Sequence, residues 1–257
     1  METANVTALP QYHKKIRRWK FSELLADHET RRRWEKVRKY FFLRESSYDM
    51  TSRCNMRCDG CYYYEGEKQF ARENVDPEAW RKLMEEEKAR GITYAVLAGA
   101  EPSMAPELLK VCYDVIPLGC IATNGLKRIS EEVGYKLHIS VWGNDATSLR
   151  VRRAKHLLMK QIENYKGDPR AVFVYTFTRD NIEEVYEVMD IIAANDCLIT
   201  FNVFSSPVGY DGSLRHNQAS LDQTRDVMLD LMAQYPGHVF FSPYNAAAHT
   251  HQYGLHD

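Results

Sequence analysis

A chain of 257 residues with 44% apolar content and a formal net charge of −1 can bury one full core, and a barrel-type domain of about 250 residues is a common single-domain size. The balanced charge gives no global pull toward nucleic acid or anionic membrane. No run approaches the roughly 20 apolar residues of a membrane span, and the start lacks the apolar core of a signal peptide. A soluble, cytoplasmic protein with reduced thiols is expected: of six cysteines, three fall within positions 54–61, unlike a secreted disulfide framework and like a metal or redox site.

Residues 1–45 carry twelve Lys/Arg against six Asp/Glu. Positions 13–42 read as two basic helices, a solvated extension whose charge also leaves nucleic-acid or peptide binding open. From position 46 the pattern changes to apolar runs alternating with amphipathic segments, the mark of an α/β domain. Strands are expected at 46–51, 93–98, 118–123, 136–142, 171–177 and 197–204. Helices are expected at 76–90, 104–114, 127–134, 146–165 and 180–194. Asp76-Pro77 supplies an N-cap and first helical residue, Gly91 a stop, and Asp180-Asn181-Ile182-Glu183 another capped start. Six strands separated by helices give a parallel sheet, whose working loops lie at the carboxyl ends of the strands. A last helix at 219–234 belongs to a C-terminal region, 206–257, that follows the core at 46–205.

The loop after the first strand reads Met50-Thr51-Ser52-Arg53-Cys54-Asn55-Met56-Arg57-Cys58-Asp59-Gly60-Cys61, a CxxxCxxC spacing. A short irregular loop lets three thiolates face one centre, each holding one corner of a cubane cluster. No fourth cysteine stands nearby. An all-cysteine ferredoxin cluster and a structural zinc site each want four protein ligands; an iron left without a protein ligand can bind a substrate or cofactor directly. A zinc loop completed by a distant histidine, and chance spacing of free thiols, are the plain alternatives.

On this loop the chain resembles the radical S-adenosylmethionine (radical SAM) superfamily, a resemblance that covers about residues 46–205. It implies a partial (β/α)6 TIM-type barrel and a [4Fe-4S] cluster on Cys54, Cys58 and Cys61. It also implies an open iron that chelates SAM, and reductive cleavage of SAM to a 5′-deoxyadenosyl radical. Further strand ends resemble family motifs. Gly99-Ala100-Glu101-Pro102 is similar to the Gly-Gly-Glu-Pro turn that meets the SAM amino group, with Ala100 replacing a glycine. Thr123-Asn124-Gly125 resembles the next strand end. Ser140, in His138-Ile139-Ser140-Val141-Trp142-Gly143, stands where a hydroxyl is offered to SAM, and strand alternation puts His138, Ser140 and Trp142 on one face. Arg152 matches an arginine directed toward the cofactor, a solvent-exposed helix arginine being the alternative. Thr178 closes the fifth strand.

The chain departs from the family at Gly60, where an aromatic residue usually packs on adenine, and at Trp142, where Asp is frequent. Either Tyr62, Tyr63 or Tyr64 supplies the missing ring from the other side of Cys61, or the adenine relies on backbone and strand contacts. Cys112, Cys120 and Cys197 make no second cluster motif and read as buried, apolar-like cysteines. The Cys-Asp-Gly-Cys wording resembles the branch that holds hopanoid adenosyl-transfer and SPASM-type peptide-modifying enzymes. The partners so implied are a small-molecule or peptide substrate and a reductant such as flavodoxin or ferredoxin. An iron–sulfur electron carrier or redox sensor without SAM turnover is the competing class. His249, His251 and His256 invite a metal reading of the tail, against a polar, disordered or substrate-facing one, and the abrupt ending leaves truncation of a longer chain open.

Overall fold

The computed structural model describes residues 43–65, 73, 75–206, 210 and 212–251, with 28, 31 and 32 as isolated positions. The chain divides into two compact units, Met1–Leu43 and Arg44–Asp257. The basic helices expected at 13–42 lie outside the described residues, apart from helical backbone at His28, Arg31 and Arg32.

The second unit carries β1 (Glu45–Asp49), α1 (Pro77–Ala89), β2 (Tyr94–Ala98), α2 (Pro106–Val115), β3 (Gly119–Thr123), β4 (Lys136–Val141), α3 (Asp145–Arg152), α4 (Leu157–Tyr165), β5 (Ala171–Phe177), α5 (Val185–Ala194), β6 (Ile199–Val203), α6 (Gln218–Gln234) and α7 (Pro243–His251). The strands form one six-stranded sheet in the order β1-β2-β3-β4-β5-β6, parallel throughout. Among the described residues β1 and β6 do not pair, so the sheet stays open, as a partial barrel does.

Strand periodicity explains how the sheet is used. Leu137, Ile139 and Val141 are at most 2% exposed, whereas His138, Ser140 and Trp142 between and after them remain half-buried. One face therefore meets the helices, and the other stays partly open for the site. The expected grouping of His138, Ser140 and Trp142 is observed. Leu108, Leu109 and Cys112 of α2, Leu158 and Ile162 of α4, and Val188, Met189 and Ile192 of α5 complete the core against the closed face. Cys112, Cys120 and Cys197 are buried and free, as expected.

Three helix expectations are corrected. Residues 127–134 are not helical. Arg170, about nine-tenths buried, donates to the carbonyls of Ile129, Ser130 and Val133. Tyr165 Oη accepts from the Ile129 N–H and donates to the Lys127 carbonyl. Side chains thus take the backbone groups that helical bonds would otherwise use. The helix expected over 146–165 is broken in two, because Arg153 and His156 take left-handed φ values of 55° and 52°. The expected cap at 180–183 is displaced: α5 starts at Val185, since the Asn181 side chain is engaged elsewhere. By contrast, Asp76 Oδ1 accepts from the Glu78 N–H before Pro77, and Gly91 closes α1 with φ 97°.

In the tail, α7 replaces the expected disordered or strand-like segment. On a helix, positions 249 and 251 lie about 200° apart, so the strand-face metal argument fails for them. His249 packs instead beside Phe241 at 5.7 Å between ring centres. His256 lies outside the described residues.

The Arg170 anchor is balanced by Asp168, at 2.7 Å with side chains 10% and 2% exposed. Hydrogen bonding from Arg170 holds the Asp168 carboxyl below its ordinary 3.8. Its contribution is therefore complete above pH 3.8 and lost as pH falls through the lower folded-state value. Asp168→Asn, which strands the guanidinium, is expected to cost about 3–5 kcal/mol near neutral pH. Urea unfolding followed across pH is expected to show wild type losing more stability than the variant below pH 3.8.

Candidate functional site at the carboxyl ends of the strands

The cysteine loop leaves β1 through Met50, which is 1% exposed and donates its N–H to the Ala98 carbonyl at the end of β2. Thr51 Oγ1 pairs with Glu73, and Glu73 also meets Arg53 Nε at 3.2 Å. Cys54, Cys58 and Cys61 are free thiols, each half-buried. Cys54 Sγ accepts the Met56 N–H at 3.3 Å, while burial pushes its thiol pKa up and nearby Glu101 adds to the rise. Among the described residues, no three His, Cys, Asp or Glu side chains are gathered to hold a metal ion. Three thiols without a fourth protein ligand fit a cluster that takes one thiolate per iron and leaves an iron open.

The turn after β2 is built around Glu101, which is 1% exposed. One carboxylate oxygen accepts from the Ser103 N–H at 3.0 Å and the Thr123 hydroxyl at 2.6 Å; the other accepts from the Asn124 N–H at 2.8 Å. The carboxylate is thus held by three internal donors. Its backbone N–H donates to the Arg53 carbonyl at 3.0 Å, tying the turn to the cysteine loop. Gly99 has φ 76°, and a Cβ there would fall on the backbone of Asp49. Ala100 stays half-buried, and Pro102 is buried at the start of a 3-10 turn.

Asn124, at the end of β3, donates its amide to Asn55 Oδ1 at 2.7 Å and toward Cys54 Sγ at 3.9 Å. The amide of Gln161, fully buried on α4, donates to the carbonyls of Asn124 and Ser140 at 2.7 and 2.8 Å. Arg152 also donates to the Ser140 carbonyl, at 2.6 Å. Arg152 is 5% exposed, which overturns the exposed-helix alternative; its Nε has no partner among the described residues. The Thr178 hydroxyl, likewise buried, has none either. Asn181 accepts from the Thr178 N–H and donates to the carbonyls of Thr176 and Trp142, joining β5 to β4.

The departure at Gly60 has a steric cause. With φ 66°, a Cβ on Gly60 would stand 2.9 Å from Cζ of Phe204, the residue after β6. Phe204 packs edge-on against Trp142 at 5.5 Å and Tyr210 at 5.6 Å. An aromatic group thus reaches the cysteine loop from the sixth strand. Of the three tyrosines considered for that role, Tyr63 is buried and Tyr64 lies under Arg57, 3.5 Å from its ring centre. Tyr62 keeps about half its surface open, with its hydroxyl 3.1 Å from Asp49.

Beside the loop opens a cavity of about 520 Å³ lined by Cys54, Asn55, Met56, Arg57, Leu126, Arg152, Arg153, Ala154, Lys155 and Lys160. That size suits a cofactor or small ligand. Cys54 and Arg152 are the expected site residues on its wall; Glu101, Asn124 and Ser140 join them through hydrogen bonds, while Cys58, Cys61, Gly99 and Thr178 lie off it. Sequence reasoning missed Gln161 and Phe204. A polar residue inside the apolar stripe Leu157-Leu158-Ile162 marks Gln161; Phe204 carries no local signal.

Residues 48–141 match the Radical SAM superfamily. No curated protein matches the chain. Among solved structures, the chain is similar to Streptococcus suis SuiB bound to S-adenosylmethionine, at 15% identity and TM-score 0.61, over 87% of this chain and 56% of that one. SuiB bound to precursor peptide SuiA matches at 16% identity and TM-score 0.62, over 81% and 51%. Native anSMEcpe with bound AdoMet matches at 14% identity and TM-score 0.59, over 74% and 60%. The chain thus spans a little over half the length of these structures, and the likeness is one of fold.

Replacing Gly60 by Ala is expected to cost about 1–2 kcal/mol in left-handed backbone strain and to displace the Phe204 ring. Iron and sulfide bound per chain after reconstitution are expected to fall in Gly60→Ala and to recover in part when Phe204→Leu removes the clash.

Proposed function

We propose, for a chain that carries a Radical SAM superfamily domain over residues 48–141, an enzyme that cleaves S-adenosylmethionine reductively to modify an organic substrate. The single observation that carries this reading is the joining of the three-cysteine loop to the Glu101 turn through the Glu101 N–H and the Arg53 carbonyl. A [4Fe-4S] cluster on Cys54, Cys58 and Cys61 would supply an open iron to chelate SAM and the electron that breaks its sulfonium carbon–sulfur bond, giving a 5′-deoxyadenosyl radical that abstracts hydrogen.

The chain's own residues have definable tasks. Gly99 lets the backbone approach closely, so that the carbonyls of the 99–102 turn meet the SAM amino group. Arg152, already fixed to the Ser140 carbonyl, keeps an unpaired Nε–H for a carboxylate, a charge-assisted bond in a shielded place. Ser140 and Thr178 offer hydroxyls at neighbouring strand ends. Asn124 orients Asn55 beside Cys54. Trp142, with Phe204 and Tyr210 behind it, forms an apolar wall that excludes water from the reacting face.

A one-electron reductant of the flavodoxin or ferredoxin class and a small-molecule or peptide substrate complete the reading. Buried thiols and a reducible cluster suit the reducing cytoplasm. The competing class, an electron carrier without SAM turnover, leaves the partnerless Arg152 Nε unexplained.

Anaerobic reconstitution with iron and sulfide, followed by SAM and dithionite, tests the assignment. Wild type is expected to release 5′-deoxyadenosine, and each of Cys54→Ala, Cys58→Ala and Cys61→Ala to lose both iron and product. Arg152→Ala is expected to keep its iron while SAM binding weakens by roughly tenfold or more, the loss of one charged hydrogen bond. Iron-loaded wild type that forms no 5′-deoxyadenosine rejects the reading.

A further inference from the structure

The cations around the cavity beside Cys54 fall into two kinds. Arg152 is buried and faces inward. Arg57, Arg153, Lys155 and Lys160 are exposed, and no carboxylate shares the cavity wall with them. Among the described residues Arg153, Lys155 and Lys160 form no ion pair. Their neighbours have acidic partners: His156 Nδ1 lies 2.8 Å from Asp145, and Arg150 pairs with Asp180 at 3.8 Å. On a chain of net charge −1, this uncompensated arc is a local departure.

The arc is fixed to the cysteine loop. The Asp59 N–H donates to the Val151 carbonyl at 2.8 Å, so the segment that presents Arg153 and Lys155 is anchored between Cys58 and Cys61. The left-handed residues Arg153 and His156 end one helix and begin the next, turning Ala154 and Lys155 toward the cavity that Cys54 lines. Positive charge is thereby held beside the loop that carries Cys54, Cys58 and Cys61.

We propose that Arg57, Arg153, Lys155 and Lys160 form the docking face for an acidic one-electron carrier protein that reduces the cluster. The proposal rests on the radical SAM reading and adds the place and the chemistry of the partner. In the step one electron leaves the carrier, which is oxidised, and enters the cluster, which is reduced; no atom is transferred. Exposed cations suit such an encounter, because transient redox interfaces are small and are steered by complementary charge. A small anionic substrate would call for converging buried donors, and of these five cations Arg152 alone is buried.

The test compares full-length wild type with the double variant Lys155→Glu/Lys160→Glu, both checked for folding by circular dichroism. Association with an acidic flavodoxin is measured by fluorescence anisotropy at low and high salt, with and without the reconstituted cluster. Wild-type affinity is expected to fall about tenfold or more with added salt, and the variant to bind at least about tenfold more weakly at low salt. With the cluster loaded, the flavodoxin-driven reaction of the variant is expected to fall at least about tenfold further below wild type than its dithionite-driven reaction does. Equal, salt-independent binding of both proteins overturns the proposal. So does parallel loss of dithionite-driven turnover in the variant, which would assign the cations to substrate. Failure of wild type to form 5′-deoxyadenosine with dithionite rejects instead the reading beneath it.

Discussion

The site depends on one buried carboxylate. Glu101 is 1% exposed and draws three donors onto two oxygens: the Ser103 N–H from its own turn, and the Thr123 hydroxyl and Asn124 N–H from the end of β3. A carboxylate out of water is costly unless it is hydrogen-bonded, and the requirement for all three donors fixes the ends of two neighbouring strands relative to each other. Through its backbone N–H the same residue holds the Arg53 carbonyl, so the residue before Cys54 is set by the same joint. Asn124, placed by that carboxylate, then reaches Asn55 and the Cys54 sulfur. The cysteine loop is irregular, yet it is not independent of the sheet.

The same arrangement recurs further round. Gln161 ties the end of β3 to that of β4, and Asn181 ties β4 to β5. Each is a buried amide spanning the carbonyls where a parallel ladder ends and backbone groups would otherwise lack partners. Beside this row of strand ends stand Arg152 and Thr178, each buried with a polar atom unpaired among the described residues. The Trp142, Phe204 and Tyr210 rings close the far side without such bonds.

Much of this was legible in the chain because strand alternation and local spacing carry it. The CxxxCxxC loop, the six strands, the shared face of His138, Ser140 and Trp142, and the Asp76-Pro77 cap all depend on residues close in sequence. What escaped depends on distant partners. Residues 127–134 look helical until Arg170, about forty positions on, takes their carbonyls. Asp180 to Glu183 look like a cap until Asn181 is drawn to Trp142. Sequence alone leaves Arg152 between a cofactor-directed and a surface arginine, because burial is a property of the fold. Gly60 stands out as a departure at a usually aromatic position, and the sequence offers no local sign that Phe204 packs against it.

The central claim is that the three thiols, the Glu101 turn and Arg152 together hold a cluster with an iron open to SAM. Low-temperature electron paramagnetic resonance of the reduced, reconstituted chain tests it most directly, recorded before and after SAM is added. The account predicts a reduced [4Fe-4S] signal whose g-values shift when SAM coordinates. A reduced cluster whose spectrum is unchanged by saturating SAM would contradict it.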